Sequence, residues 1–325
     1  VDRPDLRGRE AILKVHARGV ALSKEADLRL LAARTPGFTG ADLANVINEA
    51  ALLAARREKN AVGMEELEEA IDRVVAGLER KSRVLSDKEK TRVATHEMGH
   101  AVVGLRLKNI DPVHRVTIIP RGAGALGITM TRPLEDRYLL TEPELNDRLA
   151  FALGGRVAEE IVFEEISTGA MDDLQKATEI ARAMVSEYGM SKRLGPVSFA
   201  QNGFRGATGR LLFPGERPEF SEETAKLVDE EVARLINEAH DRAEQILIAD
   251  RGLLEKLSDV LIEREVIEGK ELLAYVEGRK PIPTGEDLAR EAAQRRSENG
   301  QKEASSISSG PDIIASQPEI PARPD

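Results

Sequence analysis

The sequence contains no cysteine. Disulfide frameworks and thiolate metal centres are therefore excluded, and any metal must be held by His, Asp or Glu. Tryptophan is also absent and aromatics make up only 3% of residues, so aromatic platforms for stacking bases or sugars are not expected. Positive charge is in deficit. Lys and Arg number 47 against 57 Asp and Glu, for a net charge of −10 and a sequence pI near 5.3. Phosphate backbones are gripped by clustered Lys and Arg, so this balance argues against nucleic acid as the main partner. No run of 18 or more apolar residues occurs, so the chain as given offers no spanning helix. It shows no signal peptide. Its first residue is Val and helical sequence begins almost at once, so it reads as part of a longer protein.

What is present is enough for real cores. Of the 325 residues 41% are apolar and 32% charged, a length that suggests about two domains. Residues 1–80 read as a helical bundle. Thr39 followed by Asp42 resembles a capping box, and Leu43, Val46, Ile47, Ala50 and Leu53 then recur at helical spacing. Residues 81–283 form a second, mostly helical unit. Ser86 and Glu89 open a long helix running through Leu107, and two short β-rich runs follow, Val113 to Ile119 and Leu126 to Thr131. Helices then return at about 142–163, 172–188, 221–248, 251–262 and 270–277, with an exposed loop expected at 202–218. From 284 to 325 hydrophobic periodicity fades into Ser, Gln, Pro and charge, the composition of a disordered tail. The fold class is mainly α: a helical bundle followed by a mostly helical domain with a small β-element.

The chemistry is concentrated in THEMGHAVV, residues 95–103. Residues four apart on a helix share a face, so His96 and His100 can offer two imidazoles to one ion. Glu97 can lean toward a water on that ion. This is the H-E-x-x-H arrangement, two zinc ligands and a general base. Zinc lowers the pKa of bound water to about 7; Glu97 then accepts a proton as the water attacks a peptide carbonyl and returns it to the leaving amine. Ala94, Met98, Ala101, Val102 and Leu105 fall on the opposite side and should face the core. Gly99, lacking a side chain, should admit a close approach by another element or by substrate.

A catalytic zinc keeps three protein ligands and one open position. His114 lies in an expected strand, and His16 and His240 are remote. Glu159 and Glu160 share one helix, and Asp172 and Asp173 begin another, where an acid also simply complements the helix dipole. Spacing does not choose among these carboxylates.

Several segments resemble one family in the right order: the FtsH-type, membrane-anchored, ATP-dependent AAA metalloproteases. THEMGHAVV is similar to its zinc helix. GGRVAEEIVF, ISTGAMDDLQKATEIARAMVSEYGMS and LGPVSF are similar to the segments that follow it. DRPDLRGREAILKVHARGV and PGFTGADLANVINEAALLAARR resemble the end of an AAA module and its helical lid. The likeness covers roughly residues 1–280. It implies Asp173 as the third zinc ligand, with Glu160 supporting the site from outside the ligand set or serving a structural role. Met98 stands where the family commonly has Ala and Asp172 where it commonly has Asn. The extra charge of Asp172 should raise the pKa of Asp173 or offer the metal an alternative carboxylate.

The resemblance further implies a layout of lid (1–80), peptidase domain (81–283) and tail (284–325). It places His16, Gly40 and Ala41 on the adenine or ribose side of ATP, although a tight helix start explains Gly40 and Ala41 equally well. No G-x-x-x-x-G-K-[ST] loop is present, so this chain alone should not hydrolyse ATP; Zn2+ is its own expected cofactor and ATP that of the full-length protein. The family implies a homo-hexamer degrading misfolded or short-lived membrane and soluble proteins, anchored at the cytoplasmic face of the bacterial inner membrane, or in an organelle membrane, through segments absent from this chain. GALGITM reads either as an exposed strand edge that pairs with extended substrate or as an ordinary edge strand. Two competing readings are an inactive scaffolding module with a structural metal, and a metalloprotease of another clan using Glu160 as ligand.

Overall fold

The computed structural model describes residues 2–78, 85–121, 125–133, 136–137, 139–199 and 221–294. The expected loop at 202–218 and the tail from residue 295 lie outside these described residues. Among them, no helix is long and apolar enough to cross a membrane.

The first four helices are α1 (Leu6–His16), α2 (Leu28–Ala33), α3 (Gly40–Arg56) and α4 (Met64–Ala76). Local sequence sets their ends. Asp27 accepts from the backbone N–H of Arg29 and Leu30 to start α2. Thr39 and Asp42 form a reciprocal capping box at α3. The anticipated stripe on α3 is buried from Leu43 to Leu53, and it packs with Leu13, Leu31, Leu67 and Ile71 into one core.

A second core gathers around α5 (Asp87–Arg106), opened by the Ser86–Glu89 capping box and ending one residue before Leu107. Every residue from Ala94 to Gly104 is buried, so the expected apolar face does meet the core, with Leu105 half-buried. The helices α6 (Glu142–Phe163), α8 (Glu222–Ala249) and α9 (Arg251–Arg264) pack against it, and α7 (Met171–Ser186) packs on α6 and α8. At the crossing of α5 and α6 a Cβ on Gly99 would sit 2.4 Å from the carbonyl oxygen of Gly154. Gly99 therefore admits another element, α6, in near-backbone contact.

The β-element is a three-stranded antiparallel sheet in the order β2-β1-β3. β1 (Val113–Thr117) lies in the middle and β2 (Ile128–Thr131) at one edge. β1 stops short of the expected Ile119, because Thr117 Oγ1 accepts from the Ile119 N–H and turns the chain. The third strand, β3 (Val266–Glu268), was not anticipated. It follows Glu265, which takes a left-handed conformation at φ 63°, and leads into α10 (Gly269–Val276).

Two ion-pair groups join the first bundle to this second core. Arg9 of α1 donates to both carboxylate oxygens of Asp136, at 2.8 and 2.9 Å. Buried Asp72 of α4 accepts from Arg115 of β1 at 2.5 Å and from Arg132 just beyond β2 at 3.3 Å. Beyond Ile282 the chain forms a separate unit. Residues 285–294 are helical there rather than disordered, because Thr284 and Asp287 exchange the hydrogen bonds of a helix start.

Candidate metal centre

Helix α5 puts His96 and His100 one turn apart, and α7 brings Asp173, 77 residues after His96, to the same point. His100 Nε2 lies 3.1 Å from His96 Nε2. Asp173 Oδ2 lies 3.2 Å from His96 Nε2 and 3.4 Å from His100 Nε2. Among the described residues these three form one of two groups with converging donor atoms; the other is His240, Asp241 and Glu244, which is more exposed.

Tautomers decide what this convergence means. His100 Nδ1 is 2.8 Å from the carbonyl oxygen of Phe151. A carbonyl can only accept, so Nδ1 carries the proton and Nε2 presents a lone pair. His96 Nδ1 is 2.8 Å from Glu159 Oε1, which fixes its tautomer the same way. With both rings neutral, two imidazole lone pairs and a carboxylate oxygen face each other. Such a set calls for a cation. Without one, burial opposes charge on His96, but its bonds to Asp173 and Glu159 outweigh burial and push its pKa up to about 10. Burial would raise the Asp173 carboxyl, yet His100 and His96 hold it well below the usual carboxylate range. The expected rise through Asp172 is thus reversed, because Asp173 answers to the imidazoles in front of it. Asp172 is not part of the converging group.

The donor set fits zinc. Ion–ligand distances of about 2.0–2.1 Å give a tetrahedron with edges of about 3.3 Å, and the three separations here bracket that value. His-N and carboxylate-O donors suit a borderline divalent ion. The space is built by α6: a Cβ on Gly155 would lie 2.4 Å from His96 Nε2 and 2.5 Å from His100 Nε2.

Glu159, not Glu160, supports the site. Glu159 is buried and accepts from His96, from Ser167 Oγ at 3.0 Å and from Arg92 at 3.1 Å. Burial works against its charge, but these bonds from His96, Ser167 and Arg92 win and lower its pKa. Imidazole ligands commonly donate their second N–H to such a carboxylate, which fixes ring orientation. Glu160, one position further round α6, instead meets His240 at 2.7 Å and Arg156 at 3.0 Å, which removes it as a ligand. The sequence does carry a signal for the pairing. Arg92, His96 and His100 are spaced by four, as are Gly155 and Glu159, so two helical stripes face each other.

Glu97 is buried beside the ligand pair. Burial raises its pKa against the opposing charges of His100 and His96. Its Oε2 is 2.8 Å from Thr129 Oγ1 of β2. A carboxylate kept basic and out of bulk water next to a metal position is suited to taking a proton from a water. His16, Gly40 and Ala41 sit elsewhere: His16 closes α1, and Gly40 and Ala41 open α3.

A family model described as peptidase family M41 matches residues 83–274, more than half of the sequence. The chain belongs to peptidase family M41. A second family model, the AAA+ lid domain, matches residues 25–69, so this M41 chain carries a lid sequence ahead of its peptidase sequence. Similar curated proteins bear the name ATP-dependent zinc metalloprotease FtsH. That of Syntrophobacter fumaroxidans is 52% identical over 275 residues, covering 85% of this chain and 42% of the relative. Those of Rubrobacter xylanophilus and Kosmotoga olearia are 53% and 54% identical over 277 and 276 residues, with the same coverage. The chain thus spans less than half the length of these relatives.

Proposed function

We propose that this chain is the proteolytic part of an ATP-dependent zinc endopeptidase. His96, His100 and Asp173 hold the metal and Glu97 is the general base. The observation that carries this reading is the convergence of two imidazole nitrogens and a carboxylate oxygen on one point, beside a buried glutamate. Zinc held there supplies a Lewis acid that acidifies water and polarises the scissile carbonyl. Glu97 accepts one proton of the water as its oxygen bonds to the carbonyl carbon. It returns that proton to the amide nitrogen as the C–N bond breaks, leaving an acid and a free amine. Glu159 and the Phe151 carbonyl hold the two imidazole rings in the ligand tautomer throughout.

The full-length protein, in this reading, forms a homo-hexameric ring on the cytoplasmic face of a bacterial membrane. Residues 1–80 serve as the lid of its ATPase, with His16, Gly40 and Ala41 on the nucleotide side, and residues 81–283 as its peptidase domain. Its substrates are misfolded or short-lived membrane and soluble proteins. The AAA+ lid match and the names of the relatives support this. These 325 residues hold no G-x-x-x-x-G-K-[ST] loop, so taken by themselves they should cleave short or unfolded peptides and spare stably folded proteins. Metal analysis combined with a peptidase assay tests the reading. One zinc per chain and peptide cleavage that a chelator stops are expected; cleavage without bound metal would refute it.

A further inference from the structure

β2 is one edge of the sheet, and its Thr129 side chain reaches α5 beside the metal position. Thr129, paired in register with Val116 of β1, points its hydroxyl at Glu97. Oγ1 lies 2.8 Å from Glu97 Oε2 and 2.8 Å from the Glu97 main-chain carbonyl oxygen. Two residues earlier on the same run, Gly127 leaves room for the glutamate: a Cβ there would sit 2.7 Å from Glu97 Cγ and 2.8 Å from Oε1. One stretch of backbone thus both clears space for the carboxylate and grips it.

We propose that Thr129 is a positioning residue for the general base, fixing the Glu97 carboxyl from β2 so that it faces the reacting water. The inference rests on the assignment of Glu97 as base. Glu97 is a residue with three rotatable side-chain bonds, and freezing them costs rotamer entropy. A base held near its productive geometry transfers protons far faster than one that wanders. The hydroxyl has a further use. Toward the charged carboxylate it donates its proton to Oε2. Once Glu97 has taken a proton from water, Oγ1 can accept that O–H and turn its own hydrogen to the Glu97 carbonyl oxygen. Both partners lie at hydrogen-bond distance, so the same side chain serves Glu97 before and after proton transfer. The platform is itself anchored. β2 is laddered to β1, and Arg132, next after the strand, is tied to buried Asp72.

The test compares the chain with its Thr129→Val, Thr129→Ser and Glu97→Gln variants on a quenched-fluorescence unfolded peptide, with zinc content measured for each. Val preserves shape and strand preference but has no hydroxyl; Ser restores it. The expected result for Thr129→Val is a fall in kcat of about 10- to 100-fold, with KM within about twofold and zinc unchanged. Thr129→Ser should recover to within about threefold of wild type. Wild-type kcat in Thr129→Val would overturn the proposal. So would loss of zinc or of the folded state, a rise in KM alone, or a Ser variant as poor as Val. The arms separate two failures. Undiminished cleavage by Glu97→Gln refutes the base assignment itself, whereas an inactive Glu97→Gln beside a fully active Thr129→Val refutes only the role of Thr129.

Discussion

Two buried clusters in this chain are made of nearly the same residue types and behave in opposite ways. In one, His96, His100 and Asp173 meet on α5 and α7. In the other, His114 and Asp72 meet between β1 and α4, with His114 Nε2 3.8 Å from Asp72 Oδ1. At Asp72 the chain supplies its own cations, since Arg115 and Arg132 donate to both carboxylate oxygens. Burial, together with the positive charges of Arg132 and Arg115, pushes the pKa of His114 down to about 4. At Asp173 no arginine pairs with the carboxylate among the described residues, and Lys176, on an exposed stem, lies 3.9 Å away. There the carboxylate faces two imidazole nitrogens, and its bond with His96, together with that of Glu159, drives His96 up to about 10 against burial. A buried carboxylate must be compensated. One cluster is complete without a ligand, and the other, in the proposed reading, would be completed by a metal ion.

The sharpest way to break that contrast is to fill the metal space from outside. A Gly155→Ala variant puts a methyl where the two Nε2 atoms converge, and backbone rather than a flexible side chain carries it. Zinc affinity should fall by more than about 100-fold and peptidase activity with it, measured by competition with a chromogenic chelator. Next in size, Glu159→Gln removes the carboxylate that orients His96 and leaves Arg92 and Ser167 without it. Zinc affinity should fall about 10- to 100-fold with the ligands intact. At the complete cluster the same kind of change should act on stability alone. Asp72→Asn leaves Arg115 and Arg132 with their charge uncompensated and should cost about 3 kcal/mol in denaturant unfolding, with zinc stoichiometry unchanged.

The smallest effect is in pH. Unfolded, His114 takes a proton near 6.5; folded, it does so near 4. The unfolded chain therefore binds more protons between those values, and stability rises with pH across that window. Acidification from pH 6.5 to 4 should remove stability, by at most about 1.4 kcal/mol per pH unit from this group. A His114→Gln variant should show a shallower slope in pH-dependent unfolding.

Much of this architecture was legible because its signals are local. Capping pairs such as Thr39–Asp42 and Ser86–Glu89 mark helix starts within four residues, and the stripe on α3 marks its buried face. His96, Glu97 and His100 share a single turn and need no fold to be recognised. What depends on long-range contact was not legible from spacing. Asp173 and Asp172 are indistinguishable until α7 is docked, and family likeness rather than geometry singled out the former. Glu159 and Glu160 differ only by one step of helical phase, which turns one toward α5 and the other toward His240 on α8. β3 is three residues long, too short for alternation to register, and forms only because β1 offers it an edge. The role of Thr129 was equally hidden, since its partner lies 32 residues away on another element.

In the proposed mechanism Glu97 is the base beside a zinc held by His96, His100 and Asp173. A Glu97→Gln variant measured for both zinc content and cleavage of an unfolded peptide tests it most directly. Full zinc occupancy and a loss of kcat of about 100-fold or more are expected. Full occupancy with wild-type kcat would contradict it.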